Sequence, residues 1–69
     1  MTQKEMVLKY LKEYGSITTL EAATRLYIMD LQGVIRHLKE EYNISDEWLN
    51  KTNMYGKKVE FKRYSLKED

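Results

Sequence analysis

The sequence contains the same helix-start pattern twice, a threonine followed three residues later by a glutamate. Thr2 with Glu5 is the first instance, and Thr18 with Glu21 is the second. In such a capping box the threonine side chain accepts a hydrogen bond from the N–H of the third helical residue, and the glutamate side chain accepts one from the threonine N–H. Gly15, between the two boxes, suits the left-handed conformation that ends many helices. We therefore expect one helix, a stop, and a second helix.

Apolar residues recur at helical spacing in three segments. The first helix is predicted over residues 3–14 and the second over about residues 19–26. A third is predicted over about residues 31–42, with Asp30 as its N-cap residue. The residues predicted to face inward are Met6, Val7, Tyr10, Leu11, Tyr14, Leu20, Ala23, Leu26, Leu31, Val34, Ile35, Leu38 and Tyr42. Two short helices joined by a tight turn predict a helix-turn-helix between about Thr18 and Tyr42.

After Asn43 the pattern becomes that of strands. Asn43 is a residue type that can cap a helix in the left-handed conformation; without that cap, the wing would leave the third helix at a different angle. Residues 44–52 and 57–66 are predicted strands, joined by a turn at residues 53–56 with glycine at a positive-φ position. The apolar residues predicted to pack there are Trp48, Leu49, Val59, Phe61, Tyr64 and Leu66. The alternation of apolar and polar residues along the second strand fails between Phe61 and Tyr64, which predicts a bulge or a change of buried face.

Three helices followed by a basic two-stranded hairpin predict an α+β fold, the winged helix-turn-helix, in which the hairpin is the wing. Ile17 and its polar neighbours suit a short extra strand. With 69 residues, 42% of them apolar and 33% charged, the sequence is that of a globular protein, and we expect a single domain over residues 1–69.

Several functional classes receive no support from the composition. The sequence has no cysteine, and its single histidine, His37, is too few for a zinc site, so we expect no metal and no cofactor. No apolar run approaches the roughly 20 residues that span a membrane, and no signal-peptide pattern is present. We expect a cytoplasmic, non-enzymatic protein without a small-molecule substrate, since no catalytic constellation is visible.

Three sequence blocks resemble the short winged helix-turn-helix domains found in phages and prophages of bacteria. They are GSITTLEA at residues 15–22, Arg36 with Leu38 and Lys39, and TNMYGKKV at residues 52–59 leading to Arg63 and Tyr64. The resemblance extends from about Thr2 to Leu66. It implies DNA binding in phage gene control or recombination, in a bacterial host cell. The sequence departs from this family pattern at one place. Such domains often end the third helix, which binds the DNA groove, with a glycine, and this sequence has no glycine there.

The third helix carries the candidate base-reading residues, because in this architecture it enters the major groove. Gln32 suits adenine and Arg36 suits guanine, and their spacing places them on one helix face. Gly33 would let the backbone approach DNA closely. The alternative is a solvated face on which Arg36 pairs with Glu40. The other candidates on this helix are Lys39 and His37, the latter as a surface or phosphate-side residue.

The wing and the second helix carry the candidate phosphate contacts. Residues 57–67 hold five basic residues and one acidic residue, a local balance of +4 in a chain of net charge +1. Lys57 and Lys58 follow the turn, and Lys62 and Arg63 come next on the strand. Thr18 and Thr19 are candidate phosphate donors as well as capping residues. The alternative is a lysine-decorated edge strand that resists aggregation.

Two functions remain open from the sequence. The first is sequence-specific binding of double-stranded DNA by a phage-type regulator or an excisionase-like recombination accessory, as a homodimer or cooperative array because one small module buries only roughly 600–1,000 Å². The second is a protein-interaction module, for example a phage inhibitor of host machinery. A positive band joining Arg36 to Lys57, Lys58 and Arg63 favours DNA. A band broken by carboxylates, which here would be Glu40, Glu41, Asp46 and Glu47, favours protein.

Overall fold

The structure, a computed structural model, describes residues 1–67 and contains three helices and a three-stranded antiparallel sheet. In chain order the elements are α1 (Gln3–Tyr14), β1 (Ser16–Thr18), α2 (Thr19–Arg25), α3 (Leu31–Leu38), β2 (Ile44–Thr52) and β3 (Lys58–Leu66). The strand order is β1-β3-β2, so β3 lies in the middle of the sheet. The predicted α+β winged helix-turn-helix is confirmed, and the extra strand at Ile17 is β1.

Both capping boxes form. The Thr2 hydroxyl accepts from Glu5 N–H at 3.1 Å, and the Thr2 N–H donates to the Glu5 carboxylate at 3.2 Å. The corresponding distances between Thr18 and Glu21 are 3.0 and 2.9 Å. Gly15 ends α1 with a φ of 83°, and its N–H donates to the Leu11 carbonyl at 2.8 Å. Local sequence signals therefore account for the start of α1 and α2 and for the end of α1.

α3 is shorter than the sequence predicted, because it ends at Leu38 rather than at Tyr42. Glu41 N–H and Tyr42 N–H both turn back to the Leu38 carbonyl, at 3.1 and 2.8 Å, which tightens and closes the last turn. The left-handed cap that Asn43 could supply does not form, since Tyr27 is the non-glycine residue with positive φ in the described part of the chain. The Asn43 carbonyl instead accepts from Lys67 N–H at 2.8 Å, a hydrogen bond just beyond the paired ends of β2 and β3.

The core lies between the helices and one face of the sheet. Its buried residues are Val7, Tyr10, Leu11, Ile17, Ala22, Ile28, Leu31, Ile35, Leu38, Ile44 and Tyr64. The prediction that Leu20 faces inward is wrong, because its side chain is 47% exposed and Ala22 is the buried residue of α2. Leu20 precedes Ala22 by two residues, which is about 200° of rotation on a helix. Tyr14 is also exposed, although its ring lies 4.6 Å from that of Tyr10, centroid to centroid.

The β2–β3 hairpin pairs without a bulge from Ile44 opposite Leu66 to Thr52 opposite Lys58. Tyr64 therefore faces the helices, and Phe61 is buried on the opposite face, where it borders a depression shared with Leu20 and Leu49. The predicted change of buried face is thus observed. The outer half of the hairpin, residues 50–60, is exposed on both faces.

Two of the strand residues predicted to pack in the core do not do so, because that outer half extends past the helices. Val59 is exposed, and Trp48 is 64% exposed. Tyr55 is exposed at the hairpin turn. Tyr27, in the turn before α3, is exposed too.

Candidate nucleic-acid interface

The turn between α2 and α3 is held by backbone interactions. Tyr27 adopts a φ of 54°, and the following residue, Ile28, donates its N–H to the Ala22 carbonyl at 2.9 Å. Ile28 is buried, so this turn is attached to the core. Asp30 then caps α3, because its side chain accepts from Gly33 N–H at 3.2 Å. Together these contacts set where α3 begins.

Gly33 has a local reason to be glycine. A Cβ atom at this position would lie 2.6 Å from Asp30 Oδ2, so a larger side chain would displace the capping carboxylate. The residue is half-buried rather than the most exposed point of α3. The structure thus gives Gly33 a role in the cap, in addition to the close backbone approach expected from the sequence.

The exposed surface of α3 has two sides. Gln32, Arg36 and Lys39 border a groove whose opposite wall is the hairpin. Gly33 and His37 lie on the other side, toward the first residues of α1. The predicted pair Gln32 and Arg36 is therefore brought together, whereas His37 faces a different depression.

The hairpin contributes the other wall of this groove through the residues that share a face with Tyr64. Asp46 lies opposite Tyr64, and Trp48 lies opposite Lys62. We call the surface formed by Gln32, Arg36, Lys39, Asp46, Trp48 and Lys62 the helix–hairpin groove. Thr19, at the start of α2, borders it beside Gln32 and Trp48.

Asp46 holds two cations of the groove. Its Oδ2 atom is 3.3 Å from Lys39 Nζ and 3.6 Å from Lys62 Nζ. The hydrogen bond from Lys39 and the charges of both lysines lower the pKa of the Asp46 carboxyl below its usual value. Asp46 is therefore ionised at neutral pH and links α3 to the hairpin.

Trp48 lies in the same groove rather than in the core. The Lys62 ammonium group is 5.1 Å from the centroid of its ring, a cation–π distance. Sequence reasoning missed Trp48 as a member of this surface, and it named Asp46 only as one of four carboxylates that could break a positive band. The strand register could have identified both. A turn at residues 53–56 fixes which residues of the two strands lie opposite each other, and residues two apart on a strand, such as Asp46 and Trp48, share a face.

The remaining predicted contact residues fall outside the groove. Arg63 is on the opposite face of the sheet, where it forms an ion pair with Glu47. Thr18 uses its hydroxyl oxygen and N–H in the capping box. Lys57 and Lys58 are exposed beside the hairpin turn and form no ion pair within residues 1–67.

The predicted alternative for Arg36, an ion pair with Glu40, does not form among the described residues. Glu40 follows the end of α3, so the helical spacing that would join the two side chains is absent. Glu41 pairs instead with Lys4 of α1, at 3.4 Å. Arg63, predicted to continue a positive band from Arg36, lies on the other face of the sheet. The basic residues beside Arg36 are Lys39 and Lys62, and Asp46, one of the four carboxylates that would break such a band, lies between them.

A second polar cluster joins α1 to α2. The Tyr10 hydroxyl donates to Glu21 Oε2 at 3.0 Å, and Arg25 Nη1 donates to the same hydroxyl at 3.0 Å. Partial burial alone would raise the pKa of the Glu21 carboxyl, but hydrogen bonds from Thr18 and Tyr10 and the charge of Arg25 bring it below its usual value. This cluster positions α2 rather than forming a ligand site.

The part of the chain that the structure describes contains no group of three or more side chains placed to bind a metal ion. None of its helices combines the length and apolar character needed to cross a bilayer.

The sequence matches the model of a family described as "Winged helix-turn-helix domain" over residues 2–69. No curated protein and no solved structure gave a significant match. The family match spans almost the whole sequence and agrees with the observed order of helices, turn and hairpin. The chain therefore belongs to the winged helix-turn-helix domain family.

Proposed function

We propose that this protein binds double-stranded DNA in a sequence-specific manner, with α3 in the major groove and the wing on the backbone or in the minor groove. Membership in a helix-turn-helix family suggests DNA binding. The observation that carries the proposal is the helix–hairpin groove, in which Gln32 and Arg36 of α3 and Lys39, which follows the helix, face Lys62 of the hairpin. A polyanion seated there would meet side chains from two elements at once.

Base reading is assigned to α3. Arg36 has the fork of donors that suits guanine, and Gln32 can pair with adenine through its amide. Both are exposed, and neither forms an ion pair or a side-chain hydrogen bond with the described residues, so no internal contact must break. Each good bidentate contact discriminates against a wrong base by about 1–3 kcal/mol.

Phosphate contact is assigned to lysines on both sides of the groove. Lys39 and Lys62 flank it, and Lys57 and Lys58 extend the positive charge along the wing. Thr19 is placed to donate its hydroxyl beside Gln32. Phosphate contacts of this kind position a protein without reading sequence. Arg63, His37 and Thr18 lie outside the groove and are assigned at most peripheral contacts.

The proposed biological setting is that of a phage- or prophage-type regulator or an excisionase-like accessory protein in a bacterial host. The three sequence blocks that resemble phage and prophage domains support this setting, including the wing block TNMYGKKV. Since one small module has a limited contact area of roughly 600–1,000 Å², we propose that it acts as a homodimer or as an array on adjacent sites.

A salt titration tests DNA binding and the role of the wing. The variant Lys57→Ala/Lys58→Ala is compared with wild type on duplex DNA by fluorescence anisotropy at several salt concentrations. We expect weaker binding, and a log–log salt slope smaller by about 0.9 for each phosphate that the variant no longer neutralises. The double variant Lys9→Ala/Lys12→Ala removes the same charge from exposed positions of α1 and should change the slope little. Equal slopes for wild type and the wing variant would refute the assignment of the wing.

The competing function is docking of a protein partner, and one surface favours it. Tyr27 and Met29, in the turn before α3, are each 79% exposed. Exposed apolar side chains that form a contiguous patch mark interaction sites, and these two lie two residues apart in the same turn. Failure of wild type to bind any duplex at low salt, together with a partner recovered through this turn, would favour docking over DNA binding.

A further inference from the structure

We propose that Met54 and Tyr55, at the tip of the wing, form an apolar wedge that enters the minor groove beside the α3 site and bends the DNA. The proposal rests on the proposed DNA-binding function, and it assigns to the tip a role that differs from neutralising phosphates. Met54 is 88% exposed and Tyr55 is 85% exposed. They are the most exposed large apolar side chains of the described residues.

The tip is a preorganised turn. Asn53 Oδ1 accepts from Tyr55 N–H at 2.9 Å and from Lys57 N–H at 3.0 Å. The Asn53 backbone closes the same turn, since its N–H donates to the Lys57 carbonyl at 2.8 Å and its carbonyl accepts from Gly56 N–H at 3.0 Å. Gly56 supplies the required positive φ of 80°. Met54 and Tyr55 are therefore presented at a fixed place, which lowers the entropy lost on insertion.

The positive charges around the tip favour an anionic partner. Lys51 and Lys58 lie on opposite faces of the hairpin, because Lys51 pairs with Val59 and Lys58 pairs with Thr52. Lys57 adds a third cation next to the turn. The DNA minor groove has phosphates along both walls and base edges at its floor. Lysines on both faces of the hairpin could contact the phosphates while the apolar tip between them contacts the bases.

The length of the hairpin fits this placement. Asp46 contacts Lys39, the residue that follows α3, and Asn53 at the turn comes seven residues after Asp46. At about 3.3 Å per residue, this stretch of β2 spans about 23 Å. Half a turn of B-DNA, the step from a major groove to the next minor groove, is about 17 Å along the helix axis. With α3 in the major groove, the hairpin is therefore long enough for its tip to reach the adjacent minor groove.

Apolar wedges inserted from the minor groove partly unstack a base step and kink the duplex by about 20–90°. The kink should occur at a flexible pyrimidine–purine step, where unstacking is easiest. A wing that contacted phosphates through its lysines alone would bind without producing such a kink.

The test measures the bend angle of bound DNA by fluorescence energy transfer between the duplex ends. The duplex is one selected by the wild-type protein from a random pool. We expect wild type to bend it by about 20° or more. Met54→Ala/Tyr55→Ala should bind with less than about tenfold weaker affinity while losing most of the bend. Met54→Leu/Tyr55→Phe keeps the apolar wedge and should keep the bend.

Tyr14→Ala is the matched control, since it removes an exposed tyrosine from the end of α1. It should leave the bend unchanged. Thermal unfolding should be the same for the tip variants as for wild type, because the tip side chains contact no core residue. A wild-type complex with straight DNA, or an alanine variant that bends like wild type, would overturn the wedge but not DNA binding. Absence of binding to any duplex, or partition into anionic vesicles instead, would overturn both.

Discussion

At the residue scale, the carboxylate of Asp46 is the feature most opposed to DNA binding. It lies between Lys39 and Lys62, at 3.3 and 3.6 Å, inside the surface that we assign to DNA. A phosphate entering the groove would compete with this carboxylate for both lysines. Asp46 therefore restrains affinity while it holds the two cations in place for the incoming phosphate.

Replacement of this carboxylate should strengthen DNA binding. We expect Asp46→Asn to raise affinity about threefold to tenfold at low salt, because one negative charge close to a phosphate is removed. The effect should shrink as salt rises, since added ions screen the charge. Glu47→Gln is the matched control, because Glu47 is the next residue on β2 and faces the other side of the sheet with Arg63. Similar gains for both variants, measured by anisotropy, would argue against a specific role for Asp46.

A second residue-scale prediction concerns Tyr27, which has a φ of 54° and an exposed side chain. A non-glycine residue in the left-handed region loses about 1–2 kcal/mol relative to the right-handed region. Tyr27→Gly should relieve this cost, but glycine also makes the unfolded chain more flexible, which opposes the gain. We expect a net rise in the free energy of unfolding of about 0.5–1 kcal/mol.

Met29→Gly is the control, because Met29 is equally exposed and has no positive φ. It should leave stability unchanged or lower it. Urea unfolding of the two variants checks the difference. A Tyr27→Gly protein less stable than wild type would show that the tyrosine ring stabilises the turn through its own contacts.

At the element scale, Glu21 stabilises α2 through two interactions. This residue completes the capping box with Thr18, and its other carboxylate oxygen accepts from the Tyr10 hydroxyl of α1. Since its folded pKa lies below the unfolded value, its ionised form contributes stability that is fully present above the unfolded pKa of about 4.3. That contribution is lost as the pH falls through the folded pKa.

Acid titration of Glu21→Gln checks this linkage. Glutamine keeps the capping geometry but removes the charge. Wild type should be more stable than the variant at about pH 7, and the difference should shrink below about pH 4. Chemical unfolding at a series of pH values measures it. A difference that stays constant across this range would show that the charge of Glu21 does not stabilise the fold.

The elements also show which features local sequence determines. α1 begins and ends as predicted because Thr2, Glu5 and Gly15 act on their own neighbours. The end of α3 was predicted wrongly, because it depends on where the chain turns to enter β2 at Ile44. Trp48 was assigned to the core because it is large and apolar. Its position in the groove follows from the hairpin extending past the helices, which is a tertiary feature.

The same distinction applies to the candidate site. Gln32 and Arg36 were predicted from helical spacing, and they do share one side of α3. Arg63 was grouped with Lys62 from charge alone, although adjacent strand residues point to opposite faces. Charge runs in a sequence therefore overstate the size of a basic surface when they lie on a strand.

At the scale of the whole molecule, a net charge of +1 is compatible with DNA binding because the charge is distributed unevenly. Lysines surround the groove and the wing tip, whereas Glu41 and Glu47 pair with other side chains away from the groove. We thus attribute affinity to the groove and wing and sequence reading to α3. The central claim is that Arg36 reads a base.

The most direct measurement compares wild type and Arg36→Ala on the selected duplex and on duplexes with single base-pair changes. If Arg36 reads a guanine, the variant should lose about 1–3 kcal/mol of discrimination at one base pair and keep it elsewhere. Lys9→Ala, which removes one charge from α1, should keep full discrimination. An Arg36→Ala protein that binds every duplex more weakly by the same factor, with discrimination intact, would contradict the claim and reduce Arg36 to a phosphate contact.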